Sequence, residues 1–158
     1  MCKKIKNSIE ITGDYEKCKL SANAFLDVAD MVNKHRWSID TDGMDNKFSS
    51  PHATNISFAC ELFLKAILLK QKGKHPNTHN LEKLFKRING KTQNEIIDEY
   101  NSYQNNCIAF KEALKVHAKT FEDWRYIYEE NDEDKEVHFY INELSRIAYS
   151  LKSVCETI

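Results

Sequence analysis

One segment decides the fold of this chain, and it reads Ser57-Phe58-Ala59-Cys60-Glu61-Leu62-Phe63-Leu64-Lys65-Ala66-Ile67-Leu68-Leu69. From Ala59 to Leu69 it is apolar on almost every side, which is typical of a buried central helix. Glu61 and Lys65 interrupt it, and their spacing of four residues places them on one face of a helix. Because a buried charge is costly unless it is paired, we expect either a structural ion pair at the edge of the core or a pair that faces a groove and belongs to a site.

The composition describes one folded domain. The chain has 158 residues, which suits a single core, and we assign residues 1–158 to one domain. Charged residues make up 30% and aromatic residues 11% of the chain, which excludes a disordered tail. Four Gly and two Pro leave few sharp turns, so the composition favours helix.

The charge is nearly balanced overall but unevenly distributed. A net charge of −1 predicts no global attraction to nucleic acid or to an anionic membrane. Between residues 61 and 91, however, the sequence contains eight Lys or Arg and only two Glu. Residues 129–136 form an acidic run. Each run is either a solvated face or, for the basic one, a groove that follows a phosphate backbone.

The remaining global features point to a cytoplasmic protein without a cofactor. The five Cys are scattered and show no C-x-x-C spacing, so we interpret them as reduced thiols. Residues 1–6 contain no apolar signal region, and no apolar run approaches the roughly 18 residues of a membrane span. No His, Asp or Glu cluster has metal-ligand spacing, and four Gly make no phosphate loop.

Hydrophobic periodicity predicts an all-α antiparallel bundle of four to five main helices without a β-sheet. Asp14 caps the first predicted helix, which runs to about Lys34. Its expected buried face is Leu20, Ala24, Asp27/Val28 and Met31. The other predicted helices are Ser50 to Lys72, ended by Gly73, Asn80 to Ile88, and Val137 to Cys155. The segment from Trp37 to Ser50 is predicted to be a loop.

The strongest periodicity runs from Ile96 to Tyr128. Apolar residues recur there at alternating steps of three and four, which predicts one very long helix or two helices with a bend near Thr120. Thr92-x-x-Glu95 is predicted to form a capping box at its start.

Three motifs in this order resemble those of the HEPN superfamily. They are Glu61-x-x-x-Lys65, Thr78-His79-Asn80-Leu81 and Phe121-Glu122-Asp123-Trp124-Arg125-Tyr126-Ile127-Tyr128-Glu129. The resemblance implies a helical bundle that dimerises. It also implies either a metal-independent endoribonuclease of a defence system or a non-catalytic partner of a small nucleotidyltransferase.

The chain departs from the Arg-x(4–6)-His motif of the active members, in which Arg and His of both protomers meet at the dimer groove. Arg125 matches the Arg by context, but the next His is His138, which is too far along the chain. No other Arg has a His at this spacing. Since this chemistry needs an imidazole near the 2′-hydroxyl, the sequence leaves catalysis open, with Arg125 and His79 as the candidate catalytic residues.

We expect Glu61, Lys65, His79, Arg125 and Tyr126 to form one polar binding cluster. An Arg on an aromatic-rich helix needs an anion, and Glu61, Glu129, a phosphate or a partner subunit could supply it. The alternative for Arg125 is a structural ion pair with Glu61, and the alternative for His79 is a helix-start residue.

The first hypothesis for the function is an RNA-associated homodimer, or a partner of a nucleotide-handling enzyme, in stress or phage defence. The alternatives are an endoribonuclease toxin of a toxin–antitoxin system, whose partner would be an antitoxin, and a non-catalytic structural adaptor.

Overall fold

The computed structural model describes residues 9–39, 49–103, 108–125 and 141–158. Its elements in chain order are β1 (Glu10–Thr12), α1 (Tyr15–Ile39), α2 (Ser49–Lys72), β2 (Lys74–Pro76), α3 (Leu81–Phe85), α4 (Gly90–Ser102), α5 (Phe110–Val116), α6 (Thr120–Arg125) and α7 (Ile141–Thr157). Helices dominate, so the predicted all-α class is confirmed. The predicted start of the last helix and residues Cys107, Tyr126 and His138 lie outside the described residues.

Helix α2 lies at the centre of the molecule, as its apolar sequence predicts. It packs against α1, α3, α6, α7 and β2, and its residues Phe63, Leu64 and Ile67 are completely buried. Among the described helices it alone has the length and composition to cross a bilayer. This differs from our expectation that no apolar run approaches the length of a membrane span. However, 78% of that stretch is buried inside the molecule, which is the environment of a core helix.

Helix α1 begins where predicted but buries a different face. The Asp14 carboxylate accepts a hydrogen bond from the Lys17 backbone amide at 2.9 Å, which makes Asp14 the N-cap. The expected core face is wrong, because Leu20 and Met31 are 72% and 69% exposed. The buried face instead carries Ala22, Leu26 and Ala29, and the two alanines allow close packing of α1 on α2.

The prediction of no β-sheet is also wrong. Strands β1 and β2 form a two-stranded antiparallel sheet in which Glu10 lies opposite Pro76 and Thr12 opposite Lys74. Three residues are too few for a readable alternation. The sheet depends on Gly73, which ends α2 as predicted: its φ of 68° lies in the left-handed region that favours glycine and directs the chain back along β1.

Neither one long helix nor two helices account for the region from Ile96 onward, which the structure divides into α4, α5 and α6. The periodicity continues across the breaks because the short helices face one core, where the rings of Tyr100 and Phe110 lie 5.3 Å apart. The bend near Thr120 is confirmed as the start of α6. There the His117 ring nitrogen Nδ1 lies 3.1 Å from the Thr120 hydroxyl.

The start of α4 differs from the predicted capping box. The side chain of Asn89 accepts from the Thr92 backbone amide at 2.9 Å, so Asn89 is the cap and the helix begins at Gly90. Thr92 lies inside the helix, where its hydroxyl accepts a hydrogen bond from the Gln71 amide at 3.0 Å.

Candidate functional site

Glu61 is the centre of the polar site on α2. Its side chain has no exposed surface, and the ammonium group of Lys65 lies 2.6 Å from Oε1 with a side chain only 11% exposed. The spacing of four residues brings the two groups together on one face of α2. A fully buried carboxylate is stable as an anion only when its oxygens are paired, and Lys65 supplies one such partner.

His79 is the second partner of Glu61. Its Nδ1 lies 3.1 Å from Oε1 and 3.0 Å from Oε2 of Glu61, while its side chain is 44% exposed. An ionised carboxylate can only accept hydrogen bonds, so Nδ1 is the ring atom that carries the proton. In the neutral ring Nε2 is then an acceptor. A carboxylate that fixes a histidine tautomer in this way prepares the imidazole for proton transfer or for hydrogen bonding to a ligand.

The turn between β2 and α3 fixes the position of His79. On one side of it, the Thr78 backbone amide donates to the Pro76 carbonyl at 3.0 Å. On the other side, Asn80 caps α3 by accepting from the Lys83 amide at 2.9 Å. The Thr78 hydroxyl also accepts from the Asn80 amide at 3.2 Å. The two residues that flank His79 are thus held by hydrogen bonds, which limits the movement of the imidazole.

Aromatic rings connect His79 to Arg125. The Phe121 ring lies 5.4 Å from the His79 ring and stacks on Phe58 at 4.8 Å. The Arg125 guanidinium carbon lies 5.6 Å from the Phe121 ring centre, within the range of a cation–π contact. Arg125 is exposed. The Phe121 ring contacts both its guanidinium and the His79 ring, and so connects the two residues.

The predicted cluster is therefore formed in part. The structure brings Glu61, Lys65 and His79 into direct contact. The expected ion pair between Glu61 and Arg125 is not formed: within the described residues the Glu61 carboxylate pairs with the Lys65 ammonium and accepts a hydrogen bond from His79. Tyr126 lies outside the described residues. The sequence does not place Phe58 and Phe121 in the site. An apolar periodicity predicts that a ring is buried, but not which side chains it contacts.

The described cysteines are not placed for nucleophilic chemistry. Cys60 and Cys155 are buried and reduced, and burial raises the pKa of the Cys60 thiol and raises that of Cys155 to about 11. A neutral thiol is a poor nucleophile and a poor metal ligand. Over the ranges that the structure describes, no three His, Cys, Asp or Glu side chains come together as a metal site.

The model of the HEPN domain matches residues 15–152 of the chain. The chain belongs to the HEPN family. The match begins at the first residue of α1 and ends inside α7, so it spans the bundle and the Glu61–Lys65–His79 site. Membership of this family indicates a nucleotide- or RNA-related function in general. The chain has no significant match among curated proteins or among solved structures.

Proposed function

We propose that this HEPN protein binds RNA and that His79 contacts the bound strand. The observation that carries the proposal is the half-exposed imidazole of His79 held by the buried carboxylate of Glu61 at 3.0 Å. Such a ring presents a fixed hydrogen-bonding edge at the surface, where the 2′-hydroxyl and phosphate groups of RNA offer donors and acceptors. Arg125, near the same aromatic rings, supplies a cation for a phosphate.

We further propose that the protein acts in the cytoplasm in stress or phage defence, as a homodimer. A nucleotidyltransferase or an antitoxin would be its protein partner. Membership of the HEPN family supports this setting.

The second candidate is a metal-independent endoribonuclease. The same Glu61–His79 contact favours it, because Nε2 of an oriented neutral imidazole can accept the proton of an attacking 2′-hydroxyl. Arg125 would then stabilise the charge that develops on the phosphate. This arrangement would replace the Arg-x(4–6)-His motif, which the chain lacks, with a histidine from the turn before α3.

One experiment separates these functions from a non-catalytic adaptor. Fluorescein-labelled single-stranded RNA is incubated in EDTA with the native protein and with the variants His79→Ala, Arg125→Ala and His75→Ala. The last is the matched control, because His75 lies in β2 with its Nδ1 against the Pro76 carbonyl.

RNA binding without cleavage, weakened in His79→Ala and Arg125→Ala but not in the control, supports the proposed function. Cleavage that disappears in the same two variants establishes the endoribonuclease instead. A native protein that neither binds nor cleaves RNA overturns both and leaves the adaptor.

A further inference from the structure

A second polar feature lies beside the site just described. It is a cleft of about 400 Å³ lined by Pro76, Asn77, Thr78, Lys83, Lys86 and Arg87. We call it the basic cleft. The turn before α3 contributes to both features, because Thr78 lines the basic cleft and the next residue, His79, pairs with Glu61. Because Thr78 and His79 are adjacent in the chain, the two features adjoin at this turn.

Cations dominate the walls and rim of the basic cleft. Lys83 has no carboxylate partner within the described parts of the chain. Lys86 pairs with Glu82 at 2.5 Å, but both side chains are at least one-third exposed, so water screens the pair. Arg87 lies 3.9 Å from Glu10, and its side chain is half exposed, so water screens this pair as well.

Two further lysines add positive charge at the rim. The Lys72 ammonium donates to the Arg87 carbonyl at 2.5 Å, and Lys74 forms an ion pair with Glu10. Of these five cations, Lys74 and Arg87 contact the Glu10 carboxylate, and Lys86 contacts that of Glu82. The hydrogen bond from Lys74 and the charges of Arg87 and Lys72 lower the pKa of Glu10, as expected in a positive local potential.

We propose that the basic cleft is a phosphate-binding site and that it holds the backbone of the RNA whose 2′-hydroxyl edge meets His79. This inference rests on the proposed function and deepens it by assigning the backbone contacts to a separate surface. The chemistry fits phosphate oxygens: two lysines, an arginine, Thr78 and Asn77 line one concavity, and these residue types carry ammonium, guanidinium, hydroxyl and amide donors. A free nucleoside triphosphate carries the same phosphate chemistry and is the other source of ligand.

The test compares two variants of equal charge. The cleft variant is Lys83→Gln/Lys86→Gln/Arg87→Gln. The control is Lys17→Gln/Lys34→Gln/Lys152→Gln, whose lysines lie on α1 and α7 and do not line the cleft. A fluorescein-labelled RNA of about 12 nucleotides is titrated by anisotropy at several salt concentrations. Since each lost phosphate contact lowers the slope of log affinity against log salt by about 0.7, the cleft variant should lower it by about 2.

The single variant Lys83→Gln guards against misfolding. The lysine lies on the surface of the cleft without a described carboxylate partner, so its replacement should leave the thermal transition unchanged and still lower the slope by about 0.7. Circular dichroism verifies that all variants keep the helical content of the native protein.

The outcomes distinguish the cleft from the proposed function. A weaker, less salt-dependent RNA complex in the cleft variant alone supports the inference. Equal RNA affinity of the two triple variants overturns it and leaves RNA binding intact. If the native protein does not bind RNA, both the proposed function and the assignment of the basic cleft to the RNA backbone are wrong. ATP titrated by calorimetry then decides the phosphate site: binding lost in the cleft variant supports it, and no binding overturns it.

Discussion

Glu61 is the residue on which the site depends. Its carboxylate has no contact with solvent. It accepts hydrogen bonds both from Lys65 on its own helix and from His79 in the turn before α3. The ion pair is therefore both an internal element of the core and the support of a surface group. Structure and function are linked at this residue, because a change that disturbs the buried carboxylate also releases the imidazole.

Glu61→Gln should destabilise the fold by about 3 kcal/mol, because it leaves the nearly buried Lys65 ammonium without a counter-charge. Urea unfolding of the native and variant proteins measures the change. The double variant Glu61→Gln/Lys65→Met should recover part of the loss, since it removes the unpaired charge. If Glu61→Gln alone is as stable as the native protein, the ion pair does not stabilise the fold.

Tyr149 should make stability depend on pH in the alkaline range. Burial and then the hydrogen bond to Asp30 raise its pKa from 10.0 to about 12. The folded state favours the neutral phenol, so the stabilisation is complete below about pH 10 and is lost as the pH rises through about 12. Tyr149→Phe should therefore be less stable than the native protein at neutral pH, and the difference should shrink toward pH 12. A difference that stays constant over this range would contradict the assignment.

At the residue scale, local spacing predicts what lies within one helix and no more. The contact of Glu61 with Lys65 follows from a separation of four residues. The contact of Glu61 with His79 depends on how the turn before α3 folds back on α2, which no periodicity describes. For the same reason the expected ion pair of Arg125 with Glu61 is wrong: it depends on how α6 packs on α2, where Phe121 stacks on Phe58.

At the element scale, Gly73 joins the central helix to the small sheet. Its φ of 68° disfavours any residue with a Cβ, although nothing lies within 4 Å of where that atom would be. Gly73→Ala should therefore cost about 1 kcal/mol through backbone strain alone. The matched control is Gly90→Ala in the first turn of α4, where the space is equally open and alanine should be neutral or stabilising. Thermal unfolding of both variants tests the difference, and equal transitions would refute the role of Gly73.

Two helix ends were easier to predict than the cap of α4 or the buried face of α1. Asp14 and Gly73 act through local chemistry, so their cap and stop roles follow from residue type. The face of α1 does not, because both of its sides carry apolar residues: Leu20 and Met31 are exposed, whereas Leu26 is buried. The periodicity does not show the break between α4 and α5, because short helices packed against one core preserve the period of a single long helix, whereas Thr120 does indicate the start of α6.

At the scale of the whole molecule, two surfaces have opposite character. Cations of α3 and of the residues that follow it line the basic cleft, whereas the outer face of α1 exposes Leu20, Val28 and Met31. Exposed apolar residues on one face of a helix commonly mark a surface that contacts another protein. The polar and apolar surfaces thus suggest separate roles, the first in binding a charged ligand and the second in assembly.

We expect the protein to be a homodimer whose interface includes α6, the helix that bears Arg125. Light scattering at micromolar concentration should give twice the chain mass of 18.5 kDa. Leu20→Glu/Met31→Glu tests whether the exposed face of α1 joins that interface, because a carboxylate buried without a partner opposes association. Val116→Glu, at an exposed apolar position of α5, is the control. Loss of the dimer in the α1 variant but not in the control places α1 in the interface. If the α1 variant remains a dimer, the exposed face of α1 lies outside the interface. A native mass of 18.5 kDa would contradict the dimer itself.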